Sequence, residues 1–243
     1  MLAAALAIVF VAGFIRGMTG FGFALIAAIG LGLIWSPEVI TPSVLLVELV
    51  LTLVLLKEGA GRHLDPPRLV PLMLGGLVGV VAGTFGFKAL PGAWLRPALE
   101  LAVLISAAVS LLHISSPRLD RRWIAALVGA IVGTLVAAFA VGGPFVVVWY
   151  LALGDAPTVV RSNIIVFFGF VDLAAILIRA GVVGIPDAVW WSSLVMLPAA
   201  VAGSWLGARA FRRVDAAWWR RIVSLTIIAS ASLSLGHSLL TRM

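Results

Sequence analysis

The stretch Arg16-Gly17-Met18-Thr19-Gly20-Phe21-Gly22 sits inside an apolar run covering residues 2–34, and its reading decides the fold. A helix needs about 20 apolar residues to cross a bilayer, and this run is much longer. Glycine allows backbone conformations that a helix excludes. The run therefore reads as two half-helices joined by an irregular turn. Half-helices of about 14 residues rise roughly 21 Å, enough to pass the membrane midplane and return. A second long run, residues 123–153, is interrupted by Ala140-Val141-Gly142-Gly143-Pro144, where Pro144 also lacks an amide hydrogen.

Composition names the solvent. The chain has 243 residues, of which 63% are hydrophobic and 11% charged, with a mean hydropathy of +1.19. Soluble domains carry roughly 45–50% apolar and about 25% charged residues, so the surroundings of this chain are lipid. Cytosolic enzymes, nucleic-acid modules and secreted disulfide scaffolds are excluded. With no Cys, disulfides and thiolate metal sites are excluded too. His63, His113 and His237 show no ligand spacing, and no nucleotide loop or nucleophile motif is present. We expect no catalytic residues, no metal and no cofactor. The start of the chain lacks the basic opening of a signal peptide, its first positive residue being Arg16; it reads as part of the mature protein.

The remaining apolar runs cover 41–56, 69–90, 95–113, 160–178, 188–208 and 217–240, separated by short charged loops. If all eight runs span, the loop Lys and Arg residues divide equally between the two sides. If 2–34 and 123–153 are re-entrant hairpins, twelve lie on one side and only Lys88, Arg96, Arg179 and Arg242 on the other. That asymmetry is a positive-inside signal. The chain also repeats: Gly20 and Gly22 match Gly142 and Pro144, Leu31-Gly32 matches Leu153-Gly154, Pro37 matches Pro157, and Trp94-Leu95-Arg96 matches Trp218-Trp219-Arg220. The expected fold is an all-α polytopic membrane protein of two inverted repeats, each one re-entrant broken-helix hairpin plus three transmembrane helices. The first repeat, 1–118, holds hairpin 2–34 and helices 41–56, 69–90 and 95–113. The second, 119–243, holds hairpin 123–153 and helices 160–178, 188–208 and 217–240. Gly75, Gly79 and Gly83, and likewise Ala199, Gly203 and Gly207, have the four-residue spacing of close helix contacts, and Gly79 and Gly83 match Ala199 and Gly203 between the halves. Trp residues near span ends fit an aromatic belt.

Two breaks in matching positions are the best sequence pointer to a transport site. The second arms, beginning near Phe23 and Phe145, would aim helix N-termini at the meeting point, and free amides with the helix dipole favour an anion there. Gly20, Phe21, Gly22, Val141, Gly142, Gly143 and Pro144 form the turns; Thr19 offers a hydroxyl and Arg16 a charge. The competing reading is that the glycines only allow packing and that Arg16 snorkels or pairs with a carboxylate. Ser43, with Thr41, and Arg161, Ser162 and Asn163 lie at the starts of 41–56 and 160–178 and can complete an anion cage. For Thr41 and Ser43 the alternative is helix N-capping. For Arg161 it is an interfacial anchor. Glu48 and Asp172 lie inside spans, where a carboxylate faces the interior, pairs or takes up a proton. They are the proton-coupling candidates, Glu48 first, with a structural pair to Arg16 or Arg179 as the alternative. Glu100 reads as a helix-start residue.

At Gly13-Phe14-Ile15-Arg16-Gly17-Met18-Thr19-Gly20-Phe21-Gly22, at Ala140-Val141-Gly142-Gly143-Pro144 and at Arg161-Ser162-Asn163 the chain resembles the TauE/SafE family of sulfite and organosulfonate exporters. The resemblance covers nearly the whole chain. It implies a bacterial inner-membrane secondary transporter of small anions such as sulfite or sulfoacetate, often thought to be proton-linked, and not an enzyme. The expected partners are the anion, the bilayer and a second copy in a homodimer, with no nucleic acid. Alternatives are an uncoupled anion channel or a non-transporting membrane scaffold. The hairpin topology puts both termini outside the cytoplasm. A reporter fused after Met243 should therefore be active outside the cytoplasm; a cytoplasmic signal would overturn the topology.

Overall fold

The computed structural model describes residues 2–31, 35–91, 93–94, 97–98, 101, 105 and 116–226. Most of the expected helices 95–113 and 217–240, and Gly32, Arg96, Glu100, His113, His237 and Arg242, lie outside the described residues. Within them the chain is all-helical. The helices are α1 (Leu2–Thr19), α2 (Phe23–Leu31), α3 (Pro37–Lys57), α4 (Pro66–Ala89), α5 (Arg122–Phe139), α6 (Gly143–Leu153), α7 (Pro157–Val182), α8 (Asp187–Phe211) and α9 (216–226). Five of them, α3, α4, α5, α7 and α8, are long and apolar enough to cross a membrane.

Both expected breaks are present. Helix α1 stops at Thr19; Gly20 (φ 92°) and Gly22 (φ 95°) take the left-handed backbone that glycine tolerates, and α2 begins at Phe23. Helix α5 stops at Phe139. There Ala140, a non-glycine residue, carries the left-handed turn at φ 56°, a conformation that costs roughly 1–2 kcal/mol in a residue with a Cβ. Pro144 is not part of this turn. It stands in the first helical turn of α6, where a missing amide hydrogen is no loss. After each break the chain folds back. A methyl placed on Gly30 would lie 2.7 Å from the Ile8 side chain. Trp149 of α6 donates from Nε1 to the Leu119 carbonyl, just before α5, at 3.1 Å.

The helices start earlier than apolarity alone suggests. Pro37, Pro66 and Pro157 open α3, α4 and α7 from N1 or N2, positions that suit proline's fixed φ. Thr41 and Ser43 are consequently interior residues of α3 rather than caps.

Two helix pairs pack at backbone distance. Between α4 and α5, a Cβ on Gly79 would stand 2.1 Å from the Ala130 carbonyl oxygen, and one on Gly83 2.2 Å from that of Thr134. Between α1 and α8, Gly203 and Gly207 stand likewise against the carbonyls of Phe10 and Phe14, at 2.2 and 2.0 Å. The same contacts recur at constant offsets: Ala130 and Phe10 are 120 positions apart, Gly79 and Gly203 124. The contact pattern thus pairs Gly79 with Gly203 and Gly83 with Gly207. This is one helical turn from the sequence match of Gly79 with Ala199 and Gly83 with Gly203. Helices α3 and α7 lie between the two pairs.

The charged loops gather at one end. Arg68 contacts Asp65, Asp120 and Asp155 at 3.0, 2.8 and 2.8 Å, and its hydrogen bonds hold the exposed Asp120 carboxylate below its ordinary pKa. Arg212 meets Glu58 at 2.6 Å, and Arg220 donates to the Asp155 carbonyl at 3.4 Å. The Arg68–Asp155 and Arg212–Glu58 contacts join loops that eight full spans would place on opposite sides. Arg161 and Arg179, counted above with the loop charges, are instead buried positions of α7.

The close contacts predict that Gly203→Leu costs about 3 kcal/mol or more through overpacking. It should lower the melting temperature in detergent by several degrees. Gly86→Ala, with nothing within 4 Å of the added methyl, should be neutral or slightly stabilising.

Candidate functional site

Arg16 lies in the last turn of α1, one turn before the first break, and is fully buried. A buried guanidinium persists only when paired. Its Nη1 donates to Glu48 Oε1 at 2.9 Å and its Nη2 to Thr52 Oγ1 at 2.9 Å, both on α3. Glu48 and Thr52 are four residues apart, so one face of α3 presents both acceptors. The Phe168 ring of α7 lies 5.7 Å from the Arg16 guanidinium carbon. The pairing weighed as an alternative for Arg16 and Glu48 is thus what the structure holds. One nitrogen of the guanidinium is left over: the Arg16 Nε–H has no partner among the described residues.

The two breaks meet at this pair. A cavity of about 10 Å³, room for roughly one water, is lined by Arg16, Gly22, Glu48, Gly142, Gly143 and Pro144, with Phe168 beside them. A Cβ on Gly143 would stand 3.0 Å from the Phe21 ring and 3.6 Å from its Cβ. The first turns of α2 and α6 both border this space, and the Ala24 amide of α2 is hydrogen-bonded to Glu48. Thr19 is spent locally: its hydroxyl donates to either the Ile15 carbonyl at 2.8 Å or the Phe21 carbonyl at 2.9 Å and accepts the Phe21 amide at 3.3 Å. Val141 is buried in a small apolar cluster with Leu25, Phe87 and Phe139.

Asp172, on α7, is fully buried, and neither of its carboxylate oxygens has a hydrogen-bond partner among the described residues. The charges acting on it are those of Glu48 and Arg16. It therefore belongs to the same buried cluster, which holds one cation and two carboxyl groups.

The other expected cage residues sit elsewhere. Arg161 is buried and turns its fork on the Gly17 carbonyl of α1, with Nε at 3.2 Å and Nη2 at 2.6 Å, while stacking on Phe211 at 4.5 Å. Asn163 accepts the Asp65 amide at 2.9 Å and so docks the loop before α4. Ser43 joins Ser192 across α3 and α8 at 2.6 Å. Ser162 lines a different, larger cavity together with Arg161.

One participant escaped the sequence reading, and a second, weighed only as a partner for Glu48 or Asp172, is placed differently by the structure. Thr52 was findable from its spacing to Glu48. Arg179, assigned to a loop, is buried; its Nη1 reaches the Ala137 carbonyl of α5 at 3.5 Å and its guanidinium stacks on Phe87 at 4.2 Å. The signal was its i, i+7 relation to Asp172, which puts both on one helix face. Arg161 and Arg179 thus mirror each other: each serves a carbonyl near the broken end of a hairpin's first arm.

A family model described as sulfite exporter TauE/SafE matches residues 5–233. The chain belongs to the TauE/SafE family. No curated protein and no solved structure matches it. Membership and the long apolar helices make this a multi-pass membrane protein of a sulfite exporter family, a class of transporters rather than enzymes. The 5–233 match takes in both helix breaks and the Arg16–Glu48 pair.

Removing one partner of a buried ion pair costs about 3–5 kcal/mol because the other charge is stranded. Arg16→Met should therefore lower the melting temperature markedly, and Arg16→Met combined with Glu48→Leu should recover most of the loss. Equal destabilisation by the single and double variants would contradict the pairing.

Proposed function

We propose that this TauE/SafE protein is a secondary transporter that moves a small anion, sulfite or an organosulfonate such as sulfoacetate, across the plasma membrane by alternating access, coupled to protons. The observation carrying this reading is the cavity where both helix breaks converge on a buried arginine with a free Nε–H. Two helix N-termini and one guanidinium form an anion-seeking environment. Backbone breaks at such depth persist only where protein or water surrounds them.

The topology we propose has two inverted repeats with re-entrant hairpins at 2–31 and 122–153. Three observations support it. Each second arm packs back on its first. The α1·α8 and α4·α5 contacts repeat at fixed offsets. The loops that contact one another at Arg212–Glu58 and Arg68–Asp155 share a side only if the second broken run returns to the face it entered. Without Arg161 and Arg179, the loop charges still divide eleven to three across this topology, with the richer side cytoplasmic.

Glu48 gives the coupling a physical form. Its carboxylate is the anion that Arg16 now holds. A substrate oxyanion entering this site competes with it for the same guanidinium. A proton on Glu48 removes the competitor's charge and frees Arg16, so anion and proton bind together and leave together. Asp172, buried without a partner beside the pair, is the second place where a proton can reside.

The test is sulfite uptake into proteoliposomes with and without an imposed pH gradient. Wild type should accumulate sulfite against its gradient when protons drive it. Transport without accumulation would favour an uncoupled channel, and no transport of sulfite or any small organosulfonate would sink the reading. Gly143→Leu, which fills the tip contact with Phe21, should abolish transport in a protein that remains folded. Glu48→Gln should leave downhill flux while removing the response to the pH gradient; an unchanged response would move the role to Asp172.

A further inference from the structure

The central cavity, at about 10 Å³, is too small for a sulfonate, so in this conformation an incoming anion must wait elsewhere. A second cavity of about 460 Å³ opens at the end where the charged loops gather. It is lined by Lys57, Glu58, Arg62, Arg161, Ser162 and Arg212, with His63 at its side. Glu58 is already engaged by Arg212 at 2.6 Å. Among the described residues no carboxylate pairs with Lys57, Arg62 or Arg161, so three positive charges are left to the cavity.

The local structure holds them there. Gly59, at φ 87°, ends α3 in a left-handed turn, and the Ala60 amide closes it onto the Leu55 carbonyl at 3.0 Å. The turn lays the Arg62 side chain over Gly59: a Cβ there would stand 3.0 Å from Arg62 Nε. Arg161 forms the inner wall. It spends Nε and Nη2 on Gly17, while Nη1 has no partner among the described residues and is not among the buried unpaired atoms. A third cavity, of about 290 Å³, also has arginines, but Asp65 and Asp120 line it with them and Arg68 is shared among three aspartates; its charges are balanced.

We propose that the larger cavity is a loading site for a small oxyanion, held by Lys57 and Arg62 on the outside and by Arg161 within. The ligand class rests on the transport reading; the site rests on the uncompensated charges. Because Arg161 also holds the carbonyl of Gly17 near the first break, an anion here shares a donor with the tip of the first hairpin. Loading and the position of α1 are thereby linked.

The test is isothermal titration of sulfite into the purified full-length protein in detergent at low ionic strength. Wild type should bind saturably, and more weakly as salt rises. Lys57→Gln combined with Arg62→Gln, two exposed positions, should raise Kd at least about tenfold. The charge-retaining pair Lys57→Arg with Arg62→Lys should restore binding, and Lys88→Gln, away from the cavity, should bind as wild type. Absence of saturable binding by wild type, or equal Kd in wild type and the Gln pair, would overturn the site. Flux measured in parallel separates the two readings: a protein that binds sulfite through Lys57 and Arg62 but moves none keeps the loading site and loses the transporter.

Discussion

A break in a helix leaves amides and carbonyls unpaired, and in apolar surroundings nothing but the protein itself can satisfy them. Most unusual features of this chain answer to that constraint. The Gly17 carbonyl, near the end of α1, is met by the fork of Arg161; the Ala137 carbonyl, near the end of α5, is met by Arg179. Both arginines come from α7, eighteen positions apart, or roughly 27 Å along its axis. Thr19 closes the first turn through local hydrogen bonds to Ile15 and Phe21. Charges that are costly in lipid are thus kept because the broken backbone needs donors. The Arg16 Nε–H, without a partner among the described residues, belongs to a side chain lining one small cavity, and the Ala24 amide in the first turn of α2 is met by Glu48.

The second constraint is closeness. Small residues let α1 approach α8, and α4 approach α5, until added methyls would strike backbone carbonyls. Interior packing at such distance moves as a unit rather than deforming. The two close-packed pairs therefore make natural rigid bodies on either side of α3 and α7. These two central helices carry Glu48, Thr52, Phe168 and Asp172, so relative movement of the pairs would open or close the buried cluster without unfolding any helix. In this reading the glycines serve motion by making its parts stiff, and the polar cluster lies along the seam.

Much of this was legible in the residues. The breaks followed from Gly20, Gly22, Gly142 and Gly143, because the clusters interrupt runs too long to cross once. The close helix contacts followed from small residues spaced by four. Helix starts were misjudged wherever proline opened the helix, since apolarity begins later than helical geometry. The left-handed residue at the second break is Ala140, which has no preference for that conformation, so only tertiary packing places it there. Arg161 and Asn163 were legible as polar, but their partners, Gly17 and Asp65, are 144 and 98 positions away. No local pattern encodes such pairings. The glycine equivalence slipped by one turn because the offset between halves changes from 120 to 124 within the chain, and a loose match cannot locate the change.

The central claim is that the two breaks fold back to meet one another. The absence of Cys gives a clean background for testing it. A Cβ on Gly143 lies 3.6 Å from that of Phe21, within the range a disulfide requires. Phe21→Cys combined with Gly143→Cys, in membranes treated with a mild oxidant, should form an intramolecular disulfide that stops sulfite flux, and reduction should restore it. A folded double variant whose two thiols stay free under oxidation would contradict the account.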